Sequence, residues 1–197
     1  MHRQFLTVGA AVAALAVSAC NKPAETKGAA TPAEQAATPD ANPAATIPTP
    51  SNEAKAPDFV AKAAASDMFE IEAARIARKR GAAPDVKRFA SDMLDAHNRS
   101  TEALKKAIAD SGQAITPPAV LPADLQGKID DLNKVDAKDF DKTYMDGQVD
   151  AHQAALDLLQ RYAQDGDVAQ IKAFAAATAP VVQKHLDMAR PIRDAVK

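Results

Sequence analysis

Tryptophan is absent from this 197-residue chain, aromatic residues make up 4%, and there is one cysteine, Cys20. So few rings leave no stacking platform for bases or sugars. A single cysteine excludes an internal disulfide and a thiolate metal cluster. Excess charge of either sign is lacking too: 24 Lys+Arg against 26 Asp+Glu give a formal net charge of -2. Nucleic-acid binding usually needs a basic patch or stripe, so nucleic acid is not expected as a partner. No Gly-rich phosphate loop, nucleophile elbow or Cys-x-x-Cys occurs, so no complete catalytic motif is present and an enzyme is not the favoured expectation. No alternating pattern marks a strand. The length suits one domain plus extra segments.

The cysteine is explained by its position. Residues 1–20 read MHRQFLTVGAAVAALAVSAC, with Arg3 as a positive start and a short apolar run from Phe5 to Val17. This is the composition of a secretory signal, and the run is short for a spanning helix. Val17-Ser18-Ala19-Cys20 resembles a bacterial lipobox, which implies a signal peptide over 1–19 and lipidation of Cys20, with palmitate among the acyl groups. Asn21, where an Asp would mark inner-membrane retention, leans towards the outer membrane. The expected location is the cell envelope, anchored to the outer membrane through the N-terminal lipid with the domain facing the periplasm. Residues 20–57 are rich in Ala, Pro and Thr and nearly free of large apolar side chains. They cannot bury enough surface to offset ordering and read as a disordered tether, about 35 Å across as a flexible coil.

From Asp58 the chain turns helical in period and composition, and residues 58–197 read as one all-α domain. Four long helical patterns are separated by Gly81, by a Pro-rich connection with a short helix (ADLQGKIDDLNKV), and by Gly166. Each long helix would span about 30–45 Å. Short links inside each pair and a long connection between pairs predict two antiparallel hairpins joined by a crossover, the logic of a ferritin-like four-helix bundle. Pro180 is expected to kink or restart the last helix.

Polar residues interrupt the apolar stripes. On the second helix Val86, Phe89, Met93, His97, Thr101, Leu104 and Ile108 follow three- and four-residue steps. Phe140, Tyr144, Gln148, His152, Ala155, Leu159 and Tyr162 do so on the third long helix. Ile171, Phe174, Thr178, Val182, His185, Met188 and Ile192 do so on the last. Beyond His2 in the signal, every histidine therefore lies on the inward face of a different helix. On the first helix Phe69, Glu72 and Ile76 form one stripe and Ala63, Glu70, Ala74 and Ala77 another, so one of the two glutamates faces inward.

A buried polar side chain is costly unless satisfied. One expectation is a buried network in which the imidazoles bond to Glu70 or Glu72, Tyr144 and Gln148. The other is a single divalent metal held by Glu70, His97, His152 and His185, because imidazole and carboxylate suit Zn, Fe and Mn. A di-iron centre is not expected: Glu-x-x-His pairs are missing, with Leu94, Val149 and Val182 three residues before the histidines.

Residues 59–190 resemble a bacterial ferritin-like family catalogued as domain of unknown function 4142, labelled outer-membrane or exported. The resemblance rests on MFEIEAARIA, VKRFASDMLDAH, FDKTYMDGQVDAHQ and IKAFAAATAPVVQKHLDMA, in this order. The family pattern falls on Glu70, His97, Tyr144, Gln148, His152, Pro180 and His185. It departs at Ala96, where the family usually has Asp directly before the histidine. The resemblance implies a ferritin-like bundle and export, and brings no reaction. The leading functional expectation is a non-enzymatic exported lipoprotein, tied to envelope stress, whose histidines organise the core. The alternative is a metal-binding or metal-dependent redox protein.

Overall fold

The structure, a computed structural model, describes residues 54–196. The expected signal peptide, Cys20 and the expected tether up to residue 53 lie outside the described residues. Within them, every regular element is a helix: α1 (Ala56–Arg80), α2 (Pro84–Ser111), α3 (Ala123–Lys134), α4 (Phe140–Asp165) and α5 (Ala169–Ala195). Residues 56 and 57, placed by composition at the end of the tether, already form the first turn of α1. Ala56 is buried there, and its N–H donates to Asp167 Oδ1 at 2.9 Å.

Local chemistry sets the helix ends. Pro lies in the first turn of α1 and of α2, where its missing N–H is no loss. Arg78, Lys79 and Arg80 sit at the negative end of α1. Gly112 closes α2 in the left-handed region at φ 66, a conformation that glycine adopts without strain. Of the kink or restart expected at Pro180, the restart does not occur: α5 is one continuous helix through Pro180 and Pro191. Pro180 and Ala176, whose carbonyl it cannot serve, both lie on the exposed side, where water can bond that carbonyl.

The four long helices form an all-α bundle. α1 packs on α2, α2 on α5 and α5 on α4, while the α1–α4 contact is looser. The short α3 lies beside that looser seam, with Ile129 and Leu132 buried. Arg80 ties its end down. The guanidinium donates to the carbonyls of Leu132 at 2.7 Å, Asn133 at 2.8 Å and Val135, and sits 4.6 Å from the centre of the Phe140 ring. It thus serves the last carbonyls of a helix that carries no other cap.

The apolar interior has two clusters. One gathers Phe59, Leu104, Tyr162, Phe174 and Leu186; the other gathers Phe69, Phe89, Met93, Phe140 and Ala189. On every long helix a buried polar residue falls at the junction: Asp67 and Glu70 on α1, His97 on α2, Gln148 and His152 on α4, His185 on α5. The core therefore carries a polar layer at one level, between two greasy ends. No described helix is long and apolar enough to cross a membrane.

Candidate metal centre

His97, His152 and His185 meet at this level. Their ring centres are 5.7 Å (97–152), 6.0 Å (97–185) and 5.5 Å (152–185) apart, a nearly equilateral triangle. One potential ligand nitrogen from each ring lies within 4.8 Å of those of the other two. All three residues are buried.

The outer nitrogens of His97 and His152 are tied off. His97 Nδ1 lies 2.8 Å from Asp67 Oδ1, and His152 Nδ1 lies 2.8 Å from the Gln148 carbonyl. A carbonyl only accepts, so His152 must carry its proton on Nδ1 and present a bare lone pair at Nε2. Asp67 Oδ1, acting as acceptor, gives neutral His97 the same tautomer. The three inner atoms His97 Nε2, His152 Nε2 and His185 Nδ1 are buried and within hydrogen-bonding reach of no protein group. Histidines whose far nitrogen is bonded to a carboxylate or a backbone carbonyl are oriented in the way metal-ligating histidines are.

The electrostatics differ from ring to ring. Burial, and then the neighbouring His152, His97 and Arg99, push the His185 pKa down to about 3. Burial also lowers His152, against the pull of Glu70. For His97, burial acts downward but is outweighed by the Asp67 hydrogen bond and the charges of Glu70 and Asp67, and its pKa is raised.

Glu70 does not join the triangle. Its Oε2 accepts from Gln148 Nε2 at 2.8 Å, and its Oε1 lies 3.9 Å from His152 Nδ1, the outer side of that ring. Of the expected four-residue set, three histidines converge, and Glu70 stands on the Nδ1 side of His152. Tyr144 is buried beside it, and burial followed by the Glu70 charge raises its pKa well above the ordinary value. Glu72 is corrected more fully. It is half-exposed, pairs with Arg75 at 3.3 Å and takes no part in the buried layer, because it falls two positions round the helix from Glu70.

Asp67 is the residue that the sequence reading missed. It is 5% exposed, and its second oxygen lies 3.4 Å from the Thr101 hydroxyl. The signal was present: Ala63, Asp67, Glu70, Ala74 and Ala77 run in steps of four, three, four and three. Asp67 also supplies a carboxylate to His97 from another helix, where Ala96 cannot do so from the same one.

Two openings approach this layer. A groove of about 680 Å³ between α1, α3 and α4 reaches Tyr144 and Gln148 but none of the three imidazoles. A cavity of about 50 Å³ is walled by His97, His185 and Asp67.

A family model described as domain of unknown function (DUF4142) matches residues 40–192. Curated proteins give no match, and neither do solved structures.

Proposed function

The chain belongs to the DUF4142 family, and we propose that it is a divalent-metal-binding protein whose centre is His97, His152 and His185. The observation that carries this reading is that one ring nitrogen from each of three buried histidines lies within 4.8 Å of the other two, and that each ring has a buried nitrogen with no hydrogen-bond partner in the protein. A purely structural network would pair these atoms, because each buried unpartnered group costs about 1–3 kcal/mol. Here two lone pairs, at His97 and His152 Nε2, are aimed into one space by bonds on the opposite edges of their rings. Such a place calls for a cation.

The donor set narrows the metal. Three imidazoles without a carboxylate suit Zn, Co, Cu, Ni or Fe(II) better than Mg, Ca or Mn. An ion held at 2.0–2.1 Å needs its nitrogens about 3.3 Å apart in a tetrahedron, so the rings close by up to roughly 1.5 Å on loading. Three protein ligands leave one position open, the arrangement of catalytic rather than purely structural zinc. The geometry thus favours the metal reading over a histidine network that only organises the core.

The test is elemental analysis of the tag-free domain, as purified and after equilibration with zinc, cobalt, copper, iron and manganese. One equivalent of a thiophilic or borderline metal, lost in His97→Ala, His152→Ala and His185→Ala, is the expected result. No stoichiometric metal under any loading would leave a shared proton between the rings as the answer.

The same proposal places the bundle in the ferritin-like class, with α1–α2 and α4–α5 as the hairpins and the connection through α3 as the crossover. It also places the domain in the cell envelope, tethered by a lipid on Cys20. The lipobox-like VSAC and the Ala/Pro/Thr-rich stretch after it support this. Cys20→Ser should move the protein from the membrane to the soluble fraction, and unchanged partitioning would remove the anchor. A role in envelope stress is the physiological setting that this location suggests.

A further inference from the structure

We propose that the metal's fourth coordination position is reached through the cavity beside His97 and His185, and that it takes a ligand of no more than about three heavy atoms, such as water or a small inorganic anion. The inference rests on the three-histidine reading and adds what the centre can bind.

The cavity is lined both by Val181, which is 44% exposed, and by His97 and His185, which are 6% and 8% exposed. His152 closes the triangle from α4 and is absent from the cavity wall. The third imidazole is therefore backed by protein, with Phe89 packed 6.2 Å from its ring centre. A ligand must then approach between His97 and His185. The wall on that side is made of small side chains, among them Ala63, Ser66, Ala96 and Ser100, all half-buried. The hydroxyls of Ser66 and Ser100 can bond an incoming polar ligand, and the same wall carries Asp67 beside the apolar Leu158, Leu159, Phe174 and Val182.

Size sets the ligand class. A volume of about 50 Å³ holds one or two waters at roughly 30 Å³ each. Azide or cyanate, bonded to the metal through one end, fits; a carboxylate carrying a ring does not. The larger groove offers no alternative route, because it reaches none of the three histidines.

The experiment uses the Co(II)-loaded protein, whose visible bands report coordination. Azide should shift the bands of the wild type, and benzoate at equal concentration should not. Ala96→Leu and Ala63→Leu each fill the cavity from a different helix. Either should bind one equivalent of Co(II) with the azide response weakened at least tenfold. Stoichiometric Co(II) with no azide response overturns the inference and leaves the metal reading intact. An equal response to benzoate, or an undiminished azide response in both variants, also overturns it. Failure to bind Co(II) at all sinks both.

Discussion

Asp67 and His97, thirty residues apart on neighbouring helices, meet carboxylate to imidazole at 2.8 Å in the core. The bond decides which face of the His97 ring is free. With Nδ1 held by Asp67, the lone pair of Nε2 points at His152 and His185. The consequence for affinity is direct. Outer partners of this kind are worth about 10- to 100-fold in metal binding. Asp67→Asn keeps the size but loses the charge, and should weaken zinc binding by about tenfold without unfolding the domain. A chelator-competition titration measures this. An unchanged affinity would make Asp67 a structural partner only.

Loading should stabilise the fold by mass action. At a free metal concentration a hundredfold above Kd the gain is about 2.7 kcal/mol. For a domain of this size that is roughly 5–10 °C in melting temperature. The His152→Ala protein should show no shift with metal. In the presence of chelator it should melt below the wild type, because truncating a ring that is 1% exposed leaves a cavity and removes the Nδ1 bond to the Gln148 carbonyl. A thermal scan with and without zinc tests both halves. A wild type whose melting point ignores zinc, cobalt and copper would count against the centre.

Acid should destabilise the metal-free protein, and the sign follows from the folded state. His185 is held down to about 3 by burial, His152, His97 and Arg99, and His152 is lowered mainly by burial. In an unfolded chain both would protonate near the ordinary 6.5. Between those values the unfolded state holds more protons, so stability present above pH 6.5 is lost as pH falls towards 3. His97 acts oppositely: its raised pKa adds stability that is full below 6.5 and fades as pH rises through the folded value. Two lowered rings against one raised ring leave a net loss on the acid side, with a slope of up to about 1.4 kcal/mol per pH unit for each proton. Urea midpoints from pH 7.5 to 4, in chelator, should fall more steeply for the wild type than for His185→Gln. Parallel curves would show that His185 is not the titrating group.

The sequence makes the long helices and their inward stripes readable because a 3.6-residue period shows in Val86, Phe89, Met93 and His97 as plainly as in the structure. Depth is harder to read. Each histidine could be placed on a face, but nothing in one helix's sequence says at which height its neighbour's residue will stand, since that depends on how helices slide against each other. Glu70 against Glu72 was undecidable for a related reason: α1 is so rich in alanine that its apolar side is barely marked. Asp67 completes the four-three rhythm with Ala63 and Glu70, yet its residue type hides it. An aspartate reads as solvent-facing until a partner on another helix is known. Met188 shows the reverse, continuing the stripe on paper yet standing 41% exposed while Ala189 takes the core position.

Glu70 offers the sharpest separation between ligand and support. It is 1% exposed, bonded to Gln148, and faces the outer nitrogen of His152. If it only backs the layer, Glu70→Gln should retain one equivalent of zinc, with an affinity change well short of the loss in His97→Ala. The amide can still accept from Gln148 Nε2, so stability should change little. Glu70→Ala, by contrast, leaves the Gln148 amide N–H buried without an acceptor, a cost of about 1–3 kcal/mol, readable as a lower urea midpoint. Metal should still bind to that variant once it is folded. Complete loss of zinc from Glu70→Gln, in a protein whose circular dichroism and melting point match the wild type, would return the glutamate to the coordination sphere and require the α1 side chain to swing round the His152 ring on loading.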